Sequence, residues 1–174
     1  NFDYQKLESL NAHYMKEADN AHLVDLVAPF LSAQHNIDIN ENAKTTLLNG
    51  MDGLKDRSKT LVELANESLF YVSDISNYDE KAQKQLTTES LPVLNGLKDA
   101  LSNLSDFNHD EIEIACRGFA DAQMDGKLGK VMMPLRAALT GTDKSPSLFE
   151  VVEVLGKQEV TTRLQNAIKY IESK

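Results

Sequence analysis

Tryptophan is absent from this chain of 174 residues, and aromatic residues make up only 6% of it. Because β-sheets draw much of their core from aromatic and β-branched side chains, this shortage argues against a sheet. Hydrophobic residues of all kinds still reach 41%, which is enough for the core of one medium domain or two small helical ones. The composition therefore favours an all-α protein.

Cysteine occurs once, at Cys116, so neither an internal disulfide nor a thiolate metal cluster can form. No apolar run approaches the roughly 18 to 20 residues that a membrane-spanning helix needs, and residues 1–19 are too polar for a signal peptide. We therefore expect a soluble, cytoplasmic protein that does not contact a membrane. A monomer is expected as well. Because the chain begins at Asn1 rather than Met, we also expect a piece of a longer polypeptide.

Residue patterns that carry catalysis or bind metal are missing as well. The four histidines include no pair at the i,i+4 spacing of a helical metal site. The stretch DAQMDG, residues 121–126, resembles the start of a calcium loop, but its twelfth position is Met132 instead of a bidentate Glu. No glycine-rich phosphate loop occurs. The sequence thus predicts no catalytic residue, no metal site and no cofactor in this chain.

Charge is distributed unevenly along the chain, whose formal net charge is -9. Residues 1–125 hold 10 Lys and Arg against 22 Asp and Glu, whereas residues 126–174 hold 8 against 5. An anionic partner is therefore expected to meet the C-terminal third.

Apolar residues recur at helical spacing over most of the chain. Pro29 is expected to kink or end a helix, and Gly50 to Gly53 to interrupt another. The polar stretch SDISNYDE, residues 73–80, is the predicted internal boundary. The predicted helices of the second half cover residues 79–86, 89–104, 109–124, 134–139, 147–155 and 157–172.

The stretch KVMMPLRAALTG, residues 130–141, suggests a site. Proline suits the first position of a helix, so Pro134 predicts a helix start with Arg136 in the first turn. A cation there costs roughly 0.3 to 1 kcal/mol against the helix dipole. Either Arg136 and free backbone N–H groups bind an anion, or Arg136 is merely solvated or ion-paired. Downstream, either Ser147 with Glu150 forms a capping box, or Ser145 caps a helix that begins at Pro146.

Three blocks in this region resemble the C-terminal end of bacterial glutamyl-tRNA synthetases: GKVMMPLRAALTG (129–141), SPSLFEV (145–151), and LGK (155–157) followed by Arg163-Leu164. The similarity continues upstream through YDEKAQK (78–84), RSKTLVEL (57–64) and KLESLNAHY (6–14), so it covers essentially the whole chain. The resemblance implies a helical bundle, the α-helical cage of the anticodon-binding domain, with two helical subdomains at residues 20–76 and 77–174 after a stem-contact helix at 1–19.

The resemblance also implies roles for particular residues. Anticodon contacts are expected at Arg136, Ser145, Pro146, Leu148, Phe149 and Arg57. Contacts with the tRNA backbone are expected at Lys6, Asn11, Lys130 and Lys144. Arg can present a planar donor fork to a base edge or phosphate, and an apolar side chain can pack on a splayed base. For Leu148 and Phe149, packing in the core is the alternative.

The family's ATP-binding HIGH-like and KMSKS-like motifs are not found. The resemblance therefore implies that a catalytic domain of the same polypeptide attaches glutamate to tRNA-Glu with ATP and Mg²⁺, and that this chain alone is inactive. An acidic helical scaffold that binds another protein is the alternative function, and direct tRNA binding distinguishes the two.

Overall fold

The computed structural model of the chain describes residues 12–174, with side chains from residue 14 onward. All the regular secondary structure in this range is helical, which confirms the predicted all-α class. The helices are α1 (Ala12–Glu17), α2 (Asn20–His35), α3 (Glu41–Asp56), α4 (Leu61–Val72), α5 (Glu80–Gln85), α6 (Leu91–Ser102), α7 (His109–Gln123), α8 (Gly129–Thr140), α9 (Leu148–Leu155) and α10 (Lys157–Glu172). A short 3₁₀ helix, Thr88–Ser90, precedes α6.

The chain divides into two compact units between Asp74 and Ile75, inside the polar stretch at 73–80. The first unit contains α1 to α4 and the second contains α5 to α10.

In the first unit, α2, α3 and α4 pack against one another in every pairing. Side-chain caps fix two helix starts: Asn40 Oδ1 accepts from the N–H of Ala43, and Thr60 Oγ1 accepts from the N–H of Glu63. The buried residues that meet at the centre are Leu23, Val27, Leu31, Leu47, Met51, Leu54, Leu61 and Leu64.

Two helix breaks expected in this unit do not occur: the helix end at Pro29, which was the alternative to a kink, and the interruption at Gly50 to Gly53. The helix α2 does not end at Pro29 but continues to His35, because Pro29 lies exposed while Phe30 and Leu31 beyond it are buried. The helix α3 runs through Gly50 and Gly53 to Asp56. Gly50 is a packing position: a Cβ there would come within 2.7 Å of the Tyr71 ring on α4. Close helix approach, not a chain break, explains that glycine.

In the second unit, α8 contacts α5, α6, α7 and α10, which makes it the central helix. It begins at Gly129, so the predicted start at Pro134 is wrong. The N–H of Met132 already donates to the carbonyl of Leu128, and Val131 is fully buried. Burial of the apolar turn before Pro134 outweighs the cost of a proline inside the helix. Arg136 therefore does not lie in the first turn.

Candidate nucleic-acid interface

The loop between α8 and α9, residues 141–147, starts with a glycine that the geometry requires. Gly141 has φ 74° and ends α8 in the left-handed conformation. Its carbonyl accepts a hydrogen bond of 2.9 Å from the N–H of Asp79. A Cβ on Gly141 would lie 2.8 Å from the backbone oxygen of Asn77, so the chain before α5 packs directly on this turn. We refer to residues 141–147 as the α8–α9 loop.

Threonine hydroxyls fix the backbone of the α8–α9 loop. Thr140 Oγ1 donates to the carbonyl of Arg136 at 2.9 Å and accepts from the N–H of Thr142 at 3.2 Å. Thr142 Oγ1 in turn donates to the carbonyl of Lys144 at 2.8 Å. These bonds satisfy backbone groups that a loop would otherwise leave to water, so the loop has a defined conformation.

Arg136 and Ser145 lie together where α8 meets the α8–α9 loop. Arg136 Nε donates to Ser145 Oγ at 3.0 Å, and Ser145 Oγ donates to the carbonyl of Pro146 at 2.8 Å. Ser145 and Pro146 are buried, whereas Arg136 is half-buried. The serine thus orients a partly accessible guanidinium group. The planar donor fork of Arg suits a base edge or a phosphate.

The helix that follows the loop starts directly after Ser147, as the first alternative predicts, but without the predicted cap. It begins at Leu148, and Ser147 at its N-cap makes no side-chain capping bond. The capping box with Glu150 is therefore not formed. The alternative, Ser145 as the cap of a helix from Pro146, is also wrong, because the Ser145 hydroxyl bonds Arg136 and the Pro146 carbonyl instead.

Leu148 and Phe149 have different environments. Leu148 is only 4% exposed and belongs to the core, so its packing role is the one that the structure favours. Phe149 is half-buried, and its ring meets the His109 ring edge-on with centroids 5.6 Å apart. Part of the Phe149 ring is therefore accessible at the surface.

The residues predicted to contact the tRNA backbone lie in different parts of the chain. Lys130 is exposed in the first turn of α8, and Lys144 is exposed in the α8–α9 loop. Lys6 and Asn11 lie outside the described residues.

Arg57 belongs to the other unit, directly after α3. Its Nε lies 3.7 Å from Glu67 Oε2. Together with Lys59, Glu63 and Asn66, this pair lines an open groove of about 400 Å³. The groove presents both donors and acceptors, as the edge of a nucleobase does.

Sequence reasoning assigned no role to Arg163, whose side chain is only 3% exposed. Its Nη1 donates to the carbonyl of Leu139 at 2.7 Å, and its Nε donates to Glu159 Oε2 at 2.8 Å. Arg163 therefore satisfies a carbonyl at the end of α8, immediately before the α8–α9 loop. A lone Arg among the apolar residues Val160 and Leu164 was the only signal for this role.

Three other features that could carry a function were considered in the described residues: a metal site, a reactive thiol and a membrane-spanning helix. No group of His, Cys, Asp and Glu side chains among residues 14–174 is arranged to hold a metal ion. Burial raises the pKa of the Cys116 thiol to about 12, so Cys116 is neither a thiolate nor a nucleophile at neutral pH. In the part of the chain that the structure describes, no helix has the length and apolarity to cross a membrane.

A family model described as an anticodon binding domain matches residues 22–168, so the chain belongs to the anticodon-binding domain family. Curated proteins that are similar to this chain include glutamate–tRNA ligases. The glutamate–tRNA ligase 2 of Paramagnetospirillum magneticum is 41% identical over 169 residues, which are 96% of this chain and 35% of that protein. The glutamate–tRNA ligase 2 of Rhodospirillum rubrum is 43% identical over 167 residues, 95% of this chain and 36% of that protein.

A solved structure gives the same result. The crystal structure of a glutamate tRNA ligase from Elizabethkingia meningosepticum in complex with its amino acid superimposes with a TM-score of 0.77 at 27% identity, over 92% of this chain and 31% of that one. These similarities confirm the resemblance inferred from the sequence blocks. The chain spans about one third of the length of the relatives it matches.

Proposed function

We propose that this chain is the anticodon-binding part of a glutamate–tRNA ligase and binds the anticodon of tRNA-Glu. The observation that carries the proposal is the half-buried Arg136 guanidinium, oriented by Ser145 beside a loop with a fixed backbone, within the residues that match the family. Splayed anticodon bases are recognised by hydrogen bonds to their edges and by stacking. Arg136 supplies the donors, and Phe149 supplies a partly exposed ring.

The parent protein, on this proposal, is a cytoplasmic, monomeric ligase that uses ATP and Mg²⁺ in a catalytic region outside these 174 residues. Arg57 makes a second anticodon contact from the first unit. Its neighbour Glu67 limits how strongly Arg57 attracts a bare phosphate, because the two charges offset each other at 3.7 Å. A base edge with both donors and acceptors suits this pair better.

Titration of the chain with tRNA-Glu tests the proposal. Replacement of Arg136 by Ala should weaken binding by roughly 1 to 3 kcal/mol, because a planar charge-assisted contact with a base is lost. Arg117→Ala is the matched control: Arg117 is exposed on α7 and pairs with Glu113 at 2.7 Å, so its loss should leave binding unchanged. Thermal unfolding of each variant checks that the fold is intact.

A tRNA-Glu with a substituted anticodon completes a double-mutant cycle with Arg136→Ala. It should bind the wild-type chain less tightly and lose little more with Arg136→Ala, because both changes remove the same interaction. Equal losses for Arg136→Ala and Arg117→Ala would contradict the assignment. A folded wild-type chain that does not bind tRNA-Glu would favour the protein-interaction scaffold.

A further inference from the structure

A second groove lies between α6 and α10, which pack along each other in the second unit. It is an open groove of about 400 Å³, lined by Lys98, Ser102, Thr161, Thr162, Gln165, Asn166 and Lys169. None of its lining residues belongs to the α8–α9 loop.

The charge of this groove is opposite to that of the chain. Asp and Glu outnumber Lys and Arg by 27 to 18 overall, yet no carboxylate is among the described residues that line the groove. Its two charged side chains are both lysines. Two ammonium groups in one concavity attract anions.

One of these lysines is held in place. Lys98 Nζ donates to Gln165 Oε1 at 2.8 Å, across the contact between α6 and α10. An ammonium group has three N–H donors, so Lys98 keeps two beyond this bond. The half-buried position of Lys98 reduces the competition from bulk water.

The other donors come from one face of α10. Thr162, Asn166 and Lys169 follow one another at the i+4 and i+3 spacing that aligns side chains on a helix. None of the three side chains makes a hydrogen bond with another described residue, whereas Thr161 Oγ1 and Ser102 Oγ donate to carbonyls of their own helices. The groove therefore offers ammonium, amide and hydroxyl donors together. A phosphate group, with several acceptor oxygens and negative charge, matches this set.

We propose that the groove between α6 and α10 is a binding site for a phosphate group, separate from the Arg136 site. The phosphate belongs either to an RNA backbone or to a small phosphorylated molecule. The site recognises charge and oxygen acceptors and does not read base sequence, because its donors are two ammonium groups with a single amide and a single hydroxyl. This proposal does not depend on the anticodon assignment.

Titration of the chain with inorganic phosphate at constant ionic strength, followed by backbone-amide NMR, tests the site. We expect saturable shifts at the amides of Lys98, Thr162, Asn166 and Lys169. Lys169→Ala should weaken binding about threefold to tenfold, and Lys98→Ala should have a similar effect. Lys84→Ala, an exposed lysine on α5, is the matched control and should leave the titration unchanged.

Because Lys169 is exposed, its replacement tests the site even if Lys98→Ala does not fold. Shifts that do not saturate, or an affinity that Lys169→Ala leaves unchanged, would overturn the proposal. Competition then identifies the source of the phosphate. Oligoadenylate that displaces inorganic phosphate more strongly than AMP identifies an RNA backbone, and equal displacement identifies a small phosphorylated molecule; both results support the site.

The same titration on Arg136→Ala separates the two proposals. Phosphate binding by this variant should equal that of the wild type. Loss of tRNA-Glu binding together with intact phosphate binding therefore reports on the anticodon site alone, and the reverse result reports on the groove alone.

Discussion

At the scale of single residues, replacements of the two serines of the α8–α9 loop are expected to differ in their effects. Ser145 is buried and accepts from Arg136 Nε, whereas Ser147 is exposed and makes no side-chain capping bond. Ser145→Ala should lower the free energy of unfolding by about 0.5 to 1.5 kcal/mol and weaken tRNA binding, because Arg136 loses a hydrogen bond that orients its guanidinium group. Ser147→Ala should change both by less.

Urea unfolding and tRNA titration of the two variants measure this difference. If Ser145→Ala binds tRNA as well as Ser147→Ala does, Ser145 does not orient the guanidinium for binding. Arg136→Ala should also cost stability, because Arg136 lies in the second half of α8 and donates this same hydrogen bond to Ser145.

Cys116 gives the stability a predicted dependence on pH. Burial raises the pKa of its thiol from 9.0 to about 12 in the folded chain. Between these pH values the unfolded chain loses the thiol proton and the folded chain keeps it, so the free energy of unfolding falls as pH rises. The contribution is at most about 1.4 kcal/mol per pH unit. Tyr78, whose pKa is also raised mainly by burial, acts in the same direction.

Urea unfolding of the wild type and Cys116→Ala between pH 8 and about pH 11 tests the thiol contribution. The variant should lose less stability over this range, because it has no thiol to ionise on unfolding. Parallel pH dependences in the two proteins would show that the thiol does not contribute.

At the scale of elements, the end of α8 depends on Gly141. Gly141→Ala should destabilise by more than the roughly 1 to 2 kcal/mol of a left-handed alanine, because its Cβ would also lie 2.8 Å from the Asn77 backbone oxygen. Gly126→Ala is the matched control: Gly126 has φ 76°, and the nearest atom to a Cβ there is Asp121 Oδ1 at 3.4 Å. It should show the conformational cost alone.

Thermal unfolding and tRNA titration of both glycine variants provide the readout. Only Gly141→Ala should also weaken tRNA binding, because it displaces the α8–α9 loop. Equal destabilisation of the two variants would mean that the chain before α5 yields to the new methyl group without cost.

At the scale of the whole molecule, charge limits how RNA binds. The chain has a net charge of -9, so few phosphates can be neutralised by the surface that meets tRNA. The logarithm of the association constant for tRNA-Glu should fall with the logarithm of salt concentration with a slope of about 2 to 4. Titrations from low to moderate salt measure it. A slope near 10, as for strongly electrostatic DNA binders, would place recognition on a far more basic surface.

Much of this molecule was predictable from local patterns. The start of α7 at His109 and the whole of α10 match the sequence prediction, because apolar spacing and the stop at Gly156 are local signals. The start of α8 was not predictable in this way. The proline rule places it at Pro134, whereas burial of Val131 against neighbouring helices extends it to Gly129.

The sequence by itself determined the helical class, the polar stretch between the two units, and the family, since composition, periodicity and motif order are properties of the chain. Only the tertiary structure decided that Ser145 orients Arg136 and that Arg163 holds the end of α8. It also decided that Leu148 is core and that a groove free of carboxylates lies between α6 and α10. Lys98 and Gln165 are distant along the chain, and only packing makes them neighbours.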